Sequence, residues 1–330
     1  MPRPARGAAQ DVNQPSMNQV AIDPDGELTL AEWAIFEQLP RPPAFADITT
    51  TNVWIVEWLS EDEQATGRDL HHWMELRRPG WSKYIRCRSK AQVFAAIDSA
   101  AVLAQSSGMV PILHLEAHGA DWGIASNGET AGEVIEWHEL TQPLQSLNVA
   151  TKCKLLVFVA ACEGFAGIQA LVAGPRAPAL ALVGPDRPLT PSALLEGSKE
   201  FYRQRLGVDA NLHGMAASAS REVGPATFEV EPFAVMWYEV MVTNLIKCAR
   251  PKMSLQQSEG LQHKRPDSAN LPGNMIERRR TDRLNVRSAD QRQADWDTMF
   301  MFDLDPSNRS RFALDVRALV EMVRSPPGTP

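Results

Sequence analysis

The chain lacks a long apolar run. Among its 330 residues, no stretch approaches the roughly 20 consecutive apolar residues that a membrane-spanning helix needs. The N-terminal segment M-P-R-P-A-R-G-A-A-Q-D also lacks the apolar core of a secretory signal. We therefore expect a protein that has no membrane span and resides in the cytoplasm.

Cysteine is scarce, and its spacing does not suit metal or disulfide chemistry. The four cysteines, Cys87, Cys153, Cys162 and Cys248, are widely spaced and form no C-x-x-C pair. Neither a structural zinc site nor a disulfide framework is indicated. In a reducing cytoplasm, a cysteine that lies beside a suitably placed histidine would keep its thiol available.

Strong net charge and internal repeats are also lacking. The 33 Lys and Arg against 40 Asp and Glu give a net charge of -7, which argues against general affinity for nucleic acid. Hydrophobic residues make up 44% of the chain and charged residues 22%, as is ordinary for a soluble globular protein. No solenoid repeat is present, and the length predicts one large domain with extensions or two smaller domains.

Two apolar runs each end in a reactive side chain. The first reads V-P-I-L-H-L-E-A-H-G from Val110 to Gly119, and the second reads C-K-L-L-V-F-V-A-A-C-E-G from Cys153 to Gly164. Short runs of Val, Ile, Leu and Phe are typical of the central strands of a parallel sheet, because helices cover both faces. Sites in such sheets form beyond the carboxyl ends of the strands. The pattern therefore favours chemistry at His118 and Cys162.

Strand and helix patterns alternate along the middle of the chain. The segment Asn52 to Leu59 predicts a first strand, and the polar loop S-E-D-E-Q-A-T-G-R-D that follows is interpreted as solvated rather than as the border of a cleft. A helix begins after Ser89 and ends at Gly108. The alternation over residues 52–223 predicts an α/β sandwich with a mainly parallel sheet.

The two ends of the chain differ from the middle. Residues 247–292 contain eleven Lys or Arg against five Asp or Glu, a local charge of +6 with few apolar residues. We predict a partly flexible leader at 1–45, with a short helix at 28–39, followed by a main unit at 46–250 that has a buried end at 228–249. A basic flexible loop follows at 251–295. A C-terminal strand (297–304) and helix (311–323) then pack on the main unit.

The positions of His118 and Cys162 suit amide-bond cleavage by a thiol. Such cleavage needs a nucleophile, a group that moves the proton, and donors for the oxyanion. Cys162 can supply the nucleophile, and His118 can accept and return the proton. Because Gly119 has no Cβ, its N–H can approach a substrate closely. The N–H groups of Gly119 and Cys162 are therefore the candidate oxyanion donors. This chemistry requires no metal and no organic cofactor.

Two other histidines compete with His118 for this role. His114 lies inside the apolar run, where a hydrogen-bonded core histidine is expected, and His138 matches the first turn of a helix. The adjacent pair His71 and His72 has no Cys or carboxylate at a metal spacing, so we interpret it as structural or superficial.

Spacing and motif together resemble a known family. Cys162 stands in A-A-C-E-G and follows His118 by 44 residues, while caspases carry Q-A-C-x-G with a histidine about 50 residues upstream. Over residues 50–225 the chain resembles the caspase-like cysteine peptidases, which include the metacaspases and the bacterial CHAT group. The resemblance implies a caspase-like three-layer αβα sandwich, with the peptidase domain at 46–250.

The resemblance also implies a function and partners. The implied function is cleavage of a protein or peptide substrate, in a pathway such as defence or cell death. The implied regulation is by a protein activator or by processing. The run E-R-R-R-T-D-R at Glu277 is a candidate processing site, because it is polar and expected to be exposed.

Some residues depart from the family pattern. Metacaspases carry an Asp two residues before the cysteine for a basic P1 residue, whereas this chain has Ala160 there. Basic specificity is therefore unsupported at that position. The candidate substrate-binding residues are Asp121, Trp122 and Asp186, which lie on loops expected to reach the cleft.

Two alternatives from other functional classes remain open. In one, the chain is a catalytically silent binding or scaffold module that recruits partners through residues 228–330. In the other, the basic stretch at 247–292 contacts nucleic acid. The net acidity and the lack of interleaved aromatic residues make the nucleic-acid interpretation the weaker one.

Overall fold

The structure of the protein is a computed structural model in which buried strands build a central sheet. The described residues are 28, 30–43, 49–127, 133–170, 174–205, 211–224, 227–249 and 288–324. Residues 1–27 of the predicted leader and residues 251–287 of the predicted basic loop lie outside the described part, and so does the candidate processing run at Glu277.

One mixed sheet organises the fold. Its strands are β1 (Asn52–Trp58), β2 (Ser82–Arg86), β3 (Pro111–Ala120), β4 (Gly123–Ala125), β5 (Val134–Glu136), β6 (Leu156–Ala160), β7 (Ala181–Pro185) and β8 (Phe228–Pro232). They follow the order β2-β1-β3-β6-β7-β8, and β4 pairs with the end of β3 and with β5. The strands β2, β1, β3, β6 and β7 pair in parallel, and β8 joins β7 antiparallel at the edge. The pairs β3–β4 and β4–β5 are antiparallel.

Helices cover both faces of the sheet. They are α1 (Leu30–Gln38), α2 (Thr66–Glu75), α3 (Lys90–Ser107), α4 (Trp137–Ala150), α5 (Gly167–Ala170), α6 (Pro191–Arg205), α7 (Leu212–Val223), α8 (Phe233–Ala249), α9 (Ala289–Met299), α10 (Asn308–Arg311) and α11 (Val316–Arg324). Within the described ranges, none of these helices combines the length and the hydrophobicity of a bilayer-spanning segment.

The first strand shows how the layers form. Trp54, Val56 and Trp58 belong to a core shared with α3, α4, α8, α9 and α11, whereas Val53 and Ile55 belong to a second core shared with α2, α6 and α7. Successive strand residues point to opposite faces, so a strand that is apolar throughout must be covered on both sides. The predicted α/β fold, a three-layer sandwich with a mainly parallel sheet, is confirmed.

Local signals account for several of the helices. The Ser89 side chain accepts a hydrogen bond from the Gln92 N–H at 3.3 Å, and Gly108 ends α3 with a φ of 71°. The helices predicted near residues 191–206 and 212–223 are present as α6 and α7. By contrast, α2 and β2 were not predicted, because the first is rich in polar residues and the second is only partly buried.

The predicted strand at 297–304 is wrong. Residues up to Met299 belong to α9, which starts at a capping box formed by Ser288 and Gln291, so the predicted basic loop at 251–295 also ends too late. The apolar residues that suggested a strand, including Met299 and Phe300, lie in the core instead. A short apolar run fits a buried helix as well as a strand, and here the capping box upstream favours the helix.

The C-terminal helices pack on the main body. The buried Trp296 indole donates a hydrogen bond to the Phe312 carbonyl at 2.9 Å. Arg176, before β7, donates to both carboxylate oxygens of Asp303, at 2.8 and 2.6 Å. The predicted helix at 311–323 is present over most of its length as α11, which starts later, at Val316. The Arg176–Asp303 pair and the shared core attach residues after 288 to the body that carries the sheet.

The edge strand β8 carries an unusual carboxyl group. Glu231 Oε1 is buried and has no hydrogen-bond partner among the described residues. Burial, together with the charges of Glu239 and Glu229, raises the pKa of Glu231 to about 8. Because this pKa lies above the ordinary value of 4.5, the folded protein favours the protonated form.

A pH dependence of stability follows from Glu231. The stability that protonated Glu231 contributes is fully present below the pKa that this carboxyl has in the unfolded chain. It is lost as the pH rises through the pKa of Glu231 in the folded protein. Glu231→Gln should therefore raise the melting temperature by a few degrees at about pH 8 and leave it unchanged at about pH 5. Thermal unfolding at both pH values measures this, with the exposed Glu222→Gln as control. An equal shift at both pH values would contradict it.

Candidate active site

Three neighbouring strands end at the same edge of the sheet. The strands β1, β3 and β6 lie side by side in parallel, with Trp58 paired to Ala117 and Glu116 paired to Ala160. Since parallel strands present their carboxyl ends at one edge, the loops after them meet there. His118 and Cys162 thus come from adjoining strand ends, as the sequence predicts.

Cys162 lies on a tight turn after β6. The Gly164 N–H donates to the Ala161 carbonyl at 3.0 Å, and Glu163 between them has a φ of 53°. A non-glycine residue in this left-handed region is uncommon and occurs where the surroundings enforce it. The partly exposed Cys162 thiol contacts the Leu189 carbonyl at 3.7 Å. The turn therefore holds the thiol at the surface beside the loop after β7.

Burial distinguishes Cys87 and Cys153 from Cys162, whereas Cys248 is exposed. Burial raises the pKa of Cys87 to about 11 and that of Cys153 to about 12, so both thiols stay protonated at neutral pH. Burial also raises the pKa of Cys248, near the end of α8. These positions favour Cys162 as the nucleophile, in agreement with the strand pattern.

His118 lies where β3 leaves the main sheet. Residues 112–116 of β3 pair with β6, whereas His118 pairs antiparallel with Ala125 of β4. The imidazole is 36% exposed, and its Nε2 atom lies 2.6 Å from Glu63 Oε1. Among the described residues, His118 and Cys162 share no hydrogen bond; their contacts lead to Glu63 and Leu189.

Glu63 is the site residue that sequence reasoning missed. It belongs to the acidic loop after β1, which was interpreted as solvated. Its second oxygen, Oε2, accepts the Ser60 N–H at 2.9 Å, so both carboxylate oxygens are engaged. The available signal was the position of this loop after a strand beside the His118 strand.

Gly119, near the end of β3, is in direct contact with the backbone of the turn that carries Cys162. A Cβ added at Gly119 would lie 2.2 Å from the Cys162 carbonyl oxygen and 2.7 Å from the Ala161 Cβ. Side chains do not tolerate such distances, so this position requires glycine. The reason inferred from the sequence is different, namely close approach of the Gly119 N–H to a substrate, and donation of that N–H to an oxyanion stays a prediction.

The competing histidines have structural surroundings. His114 is fully buried; its Nδ1 lies 3.0 Å from the Tyr202 hydroxyl and its Nε2 lies 3.0 Å from Glu116 Oε2. His138 lies in the first turn of α4, paired with Glu136 at 3.1 Å. Both predictions are confirmed, which leaves His118 as the histidine at the strand edge beside Cys162.

The predicted substrate-binding residues lie on exposed loops. Asp121 and Trp122 form the turn between β3 and β4, and 48% of Trp122 is exposed. The Trp137 indole donates to the Asp121 carbonyl at 3.1 Å, which fixes this turn. Asp186 lies on the loop after β7 that also holds Leu189, and it pairs with Arg187 at 3.2 Å. Whether these residues touch a substrate stays a prediction.

The described site residues do not form a metal-binding cluster. Among the described residues, no group of three or more His, Cys, Asp or Glu is arranged to hold a metal ion. A cavity of about 350 Å³ lies between α4 and the segment before β7, and its lining contains none of the site residues.

Comparison with protein-family models gives no match for this chain, and comparison with curated proteins gives none either. The functional argument therefore rests on the residues and geometry described above.

The Gly119 contact leads to a stability prediction. Gly119→Ala should destabilise the fold by about 1–3 kcal/mol, because the new methyl group forces the Cys162 backbone to move. Chemical denaturation measures this. Gly214→Ala on α7 is the control, since its Cβ would meet nothing closer than 3.2 Å. Equal stability of the Gly119 variant and the wild type would show that the loops do not touch as described.

Proposed function

We propose that this protein is a caspase-like cysteine endopeptidase in which Cys162 is the nucleophile and His118 is the general base and acid. One observation carries the proposal: the end of β3, with His118, and the turn after β6, with Cys162, adjoin at the carboxyl edge of a parallel sheet and are in backbone contact through Gly119. The partial exposure of both side chains supports access by a substrate.

The reaction needs only groups present at this edge. His118 takes the thiol proton as Cys162 Sγ attacks the scissile carbonyl carbon, and a C–S bond forms. The C–N bond then breaks, and the imidazolium gives its proton to the leaving amine. Water, deprotonated by His118, attacks the thioester, which releases the carboxylate product and restores the thiol. No metal or cofactor enters this sequence.

Stabilisation of the oxyanion is assigned to backbone donors. The N–H groups of Gly119 and Cys162 are the proposed pair, supported by the close approach of their backbones. The loss of one such donor typically lowers turnover by about 100-fold or more.

The substrate is proposed to be a protein or peptide that contacts the loops around this edge. Asp121 and Trp122 on one side and Asp186 on the other are the proposed contacts. A cytoplasmic location and a protein activator or regulator belong to the same proposal. The long segments on either side of the sheet-forming region are candidate places for such regulation.

A catalytically silent binding or scaffold module is the second candidate function. The hydrogen bonds that His118 and Cys162 make lead away from each other, toward Glu63 and Leu189, and this favours the second candidate. Apo active sites often have long or misaligned catalytic hydrogen bonds, so this geometry is also compatible with the peptidase.

The proposed mechanism is tested by incubation with a diverse peptide library under reducing conditions. We expect wild type and Cys248→Ala to cleave peptides, Cys162→Ala to lose cleavage, and His118→Ala to lose about 100-fold or more. Mass spectrometry of the products measures the rates. Equal cleavage by wild type and Cys162→Ala would contradict the mechanism, and silence of both proteins would leave an activator requirement or the scaffold candidate.

Trp122 offers a test of the substrate-facing loop. Trp122→Ala should raise KM several-fold with little change in kcat or in melting temperature, because the exposed ring would lose contact with substrate rather than with the core. Leu76→Ala removes a side chain that is 84% exposed elsewhere and serves as the control. Unchanged steady-state kinetics of the Trp122 variant would remove this residue from the substrate site.

A further inference from the structure

We infer that Glu63 is a positioning residue that completes a Cys162–His118–Glu63 triad. This inference rests on the proposed function and adds a third group to it. Cys162 and Glu63 come from the loops after β6 and β1, and His118 comes from the end of β3; these three strands are successive neighbours in the sheet. The observation that carries it is the 2.6 Å contact between Glu63 Oε1 and His118 Nε2.

The partner of Nε2 decides which imidazole nitrogen serves as the base. An ionised carboxylate can only accept hydrogen bonds, so the His118 Nε2 must carry the proton that lies between them. In the neutral ring, Nδ1 then keeps its lone pair. Glu63 therefore selects the tautomer in which Nδ1 takes the proton of the Cys162 thiol.

The carboxylate is itself held in place. Glu63 Oε2 accepts the Ser60 N–H at 2.9 Å. The Ser60 hydroxyl donates to the Ser126 carbonyl at 3.3 Å, and Arg86 Nη2 donates to the Ser60 carbonyl at 2.9 Å. The loop is thereby tied to β2 and to the segment after β4.

A second contact ties the same loop to β3. Thr66, at the start of α2, donates its hydroxyl to the buried Glu116, which lies two residues before His118. Glu63 and Thr66 thus connect the β1–α2 loop to β3 at two points on one strand. These contacts restrict the positions of both the loop and the imidazole ring, as the carboxylate partner of a catalytic histidine does.

A plain surface ion pair is the competing explanation. Glu63 is 32% exposed and His118 is 36% exposed, and exposed pairs contribute little to stability. That explanation predicts no effect of Glu63 on the reactivity of Cys162. A triad predicts a large effect on reactivity with little effect on stability, so the two can be separated.

The experiment measures alkylation of Cys162 by iodoacetamide, with the modified cysteine identified by peptide mapping. This readout needs no substrate. We compare wild type, Glu63→Ala, Glu63→Gln, His118→Ala and Glu61→Ala. Glu61 lies in the same loop, is 72% exposed and pairs with Arg88, so Glu61→Ala matches the loss of charge. Cys248 serves as the internal reference, and the melting temperature of each variant is recorded.

We expect Glu63→Ala to slow alkylation of Cys162 by about tenfold or more, as His118→Ala does, and Glu61→Ala to leave it unchanged. Glu63→Gln should recover part of the rate, because the amide oxygen still accepts from Nε2 without the charge. Histidine ¹⁵N NMR should show the Nε2–H tautomer for His118 in the wild type and a mixture in Glu63→Ala. Where a peptide substrate is found, the loss should appear in kcat rather than KM.

The outcomes separate this inference from the proposed function. Wild-type alkylation in Glu63→Ala together with slow alkylation in His118→Ala would overturn the triad and leave the Cys162–His118 pair standing. Slow alkylation in both variants, in a protein that cleaves no peptide, would support the triad and count against the peptidase. Equal rates in all variants would overturn the triad as well.

Discussion

The parallel pairing of β1, β3 and β6 is the constraint on which the rest of the structure depends. It buries three apolar strands between two helical layers and brings the loops after them to one edge. The main-sheet pairing of β3 ends near Ala117, and β3 then pairs with β4. His118 lies in the part of β3 that pairs with β4, and its imidazole contacts Glu63. The grouping of these residues at one edge is a consequence of strand order rather than of any single loop sequence.

Buried carboxylates beneath the edge fix the first loop. Glu57 and Glu116 face each other on neighbouring strands and are almost fully buried. Glu57 accepts the N–H groups of Gly67 and Arg68, where the start of α2 favours negative charge. Glu116 accepts the Thr66 hydroxyl and contacts His114. Buried charges are tolerated only when such partners are present, so these contacts set the position of the loop that carries Glu63.

Much of the fold was predictable because its signals are local. Apolar strand runs, the Ser89 cap and the alternation of elements identify most of the central layers. The same patterns separate His114, inside a strand, from His118 at its end. They fail where local signals are ambiguous: the apolar run at 297–304 fits a helix as well as a strand, and α2 is too polar to be recognised from its sequence.

Most strand cores, the fold class and the candidates His118 and Cys162 could be predicted from the sequence, because periodicity and the position of a residue at a strand end are legible over a few residues. The folded chain was needed to show that Glu63, 55 residues before His118, contacts its imidazole, and that Gly119 touches the Cys162 backbone. Such contacts depend on which strands become neighbours and how far each loop reaches. Pairing of distant segments follows from the packing of the whole chain, so no local pattern contains it.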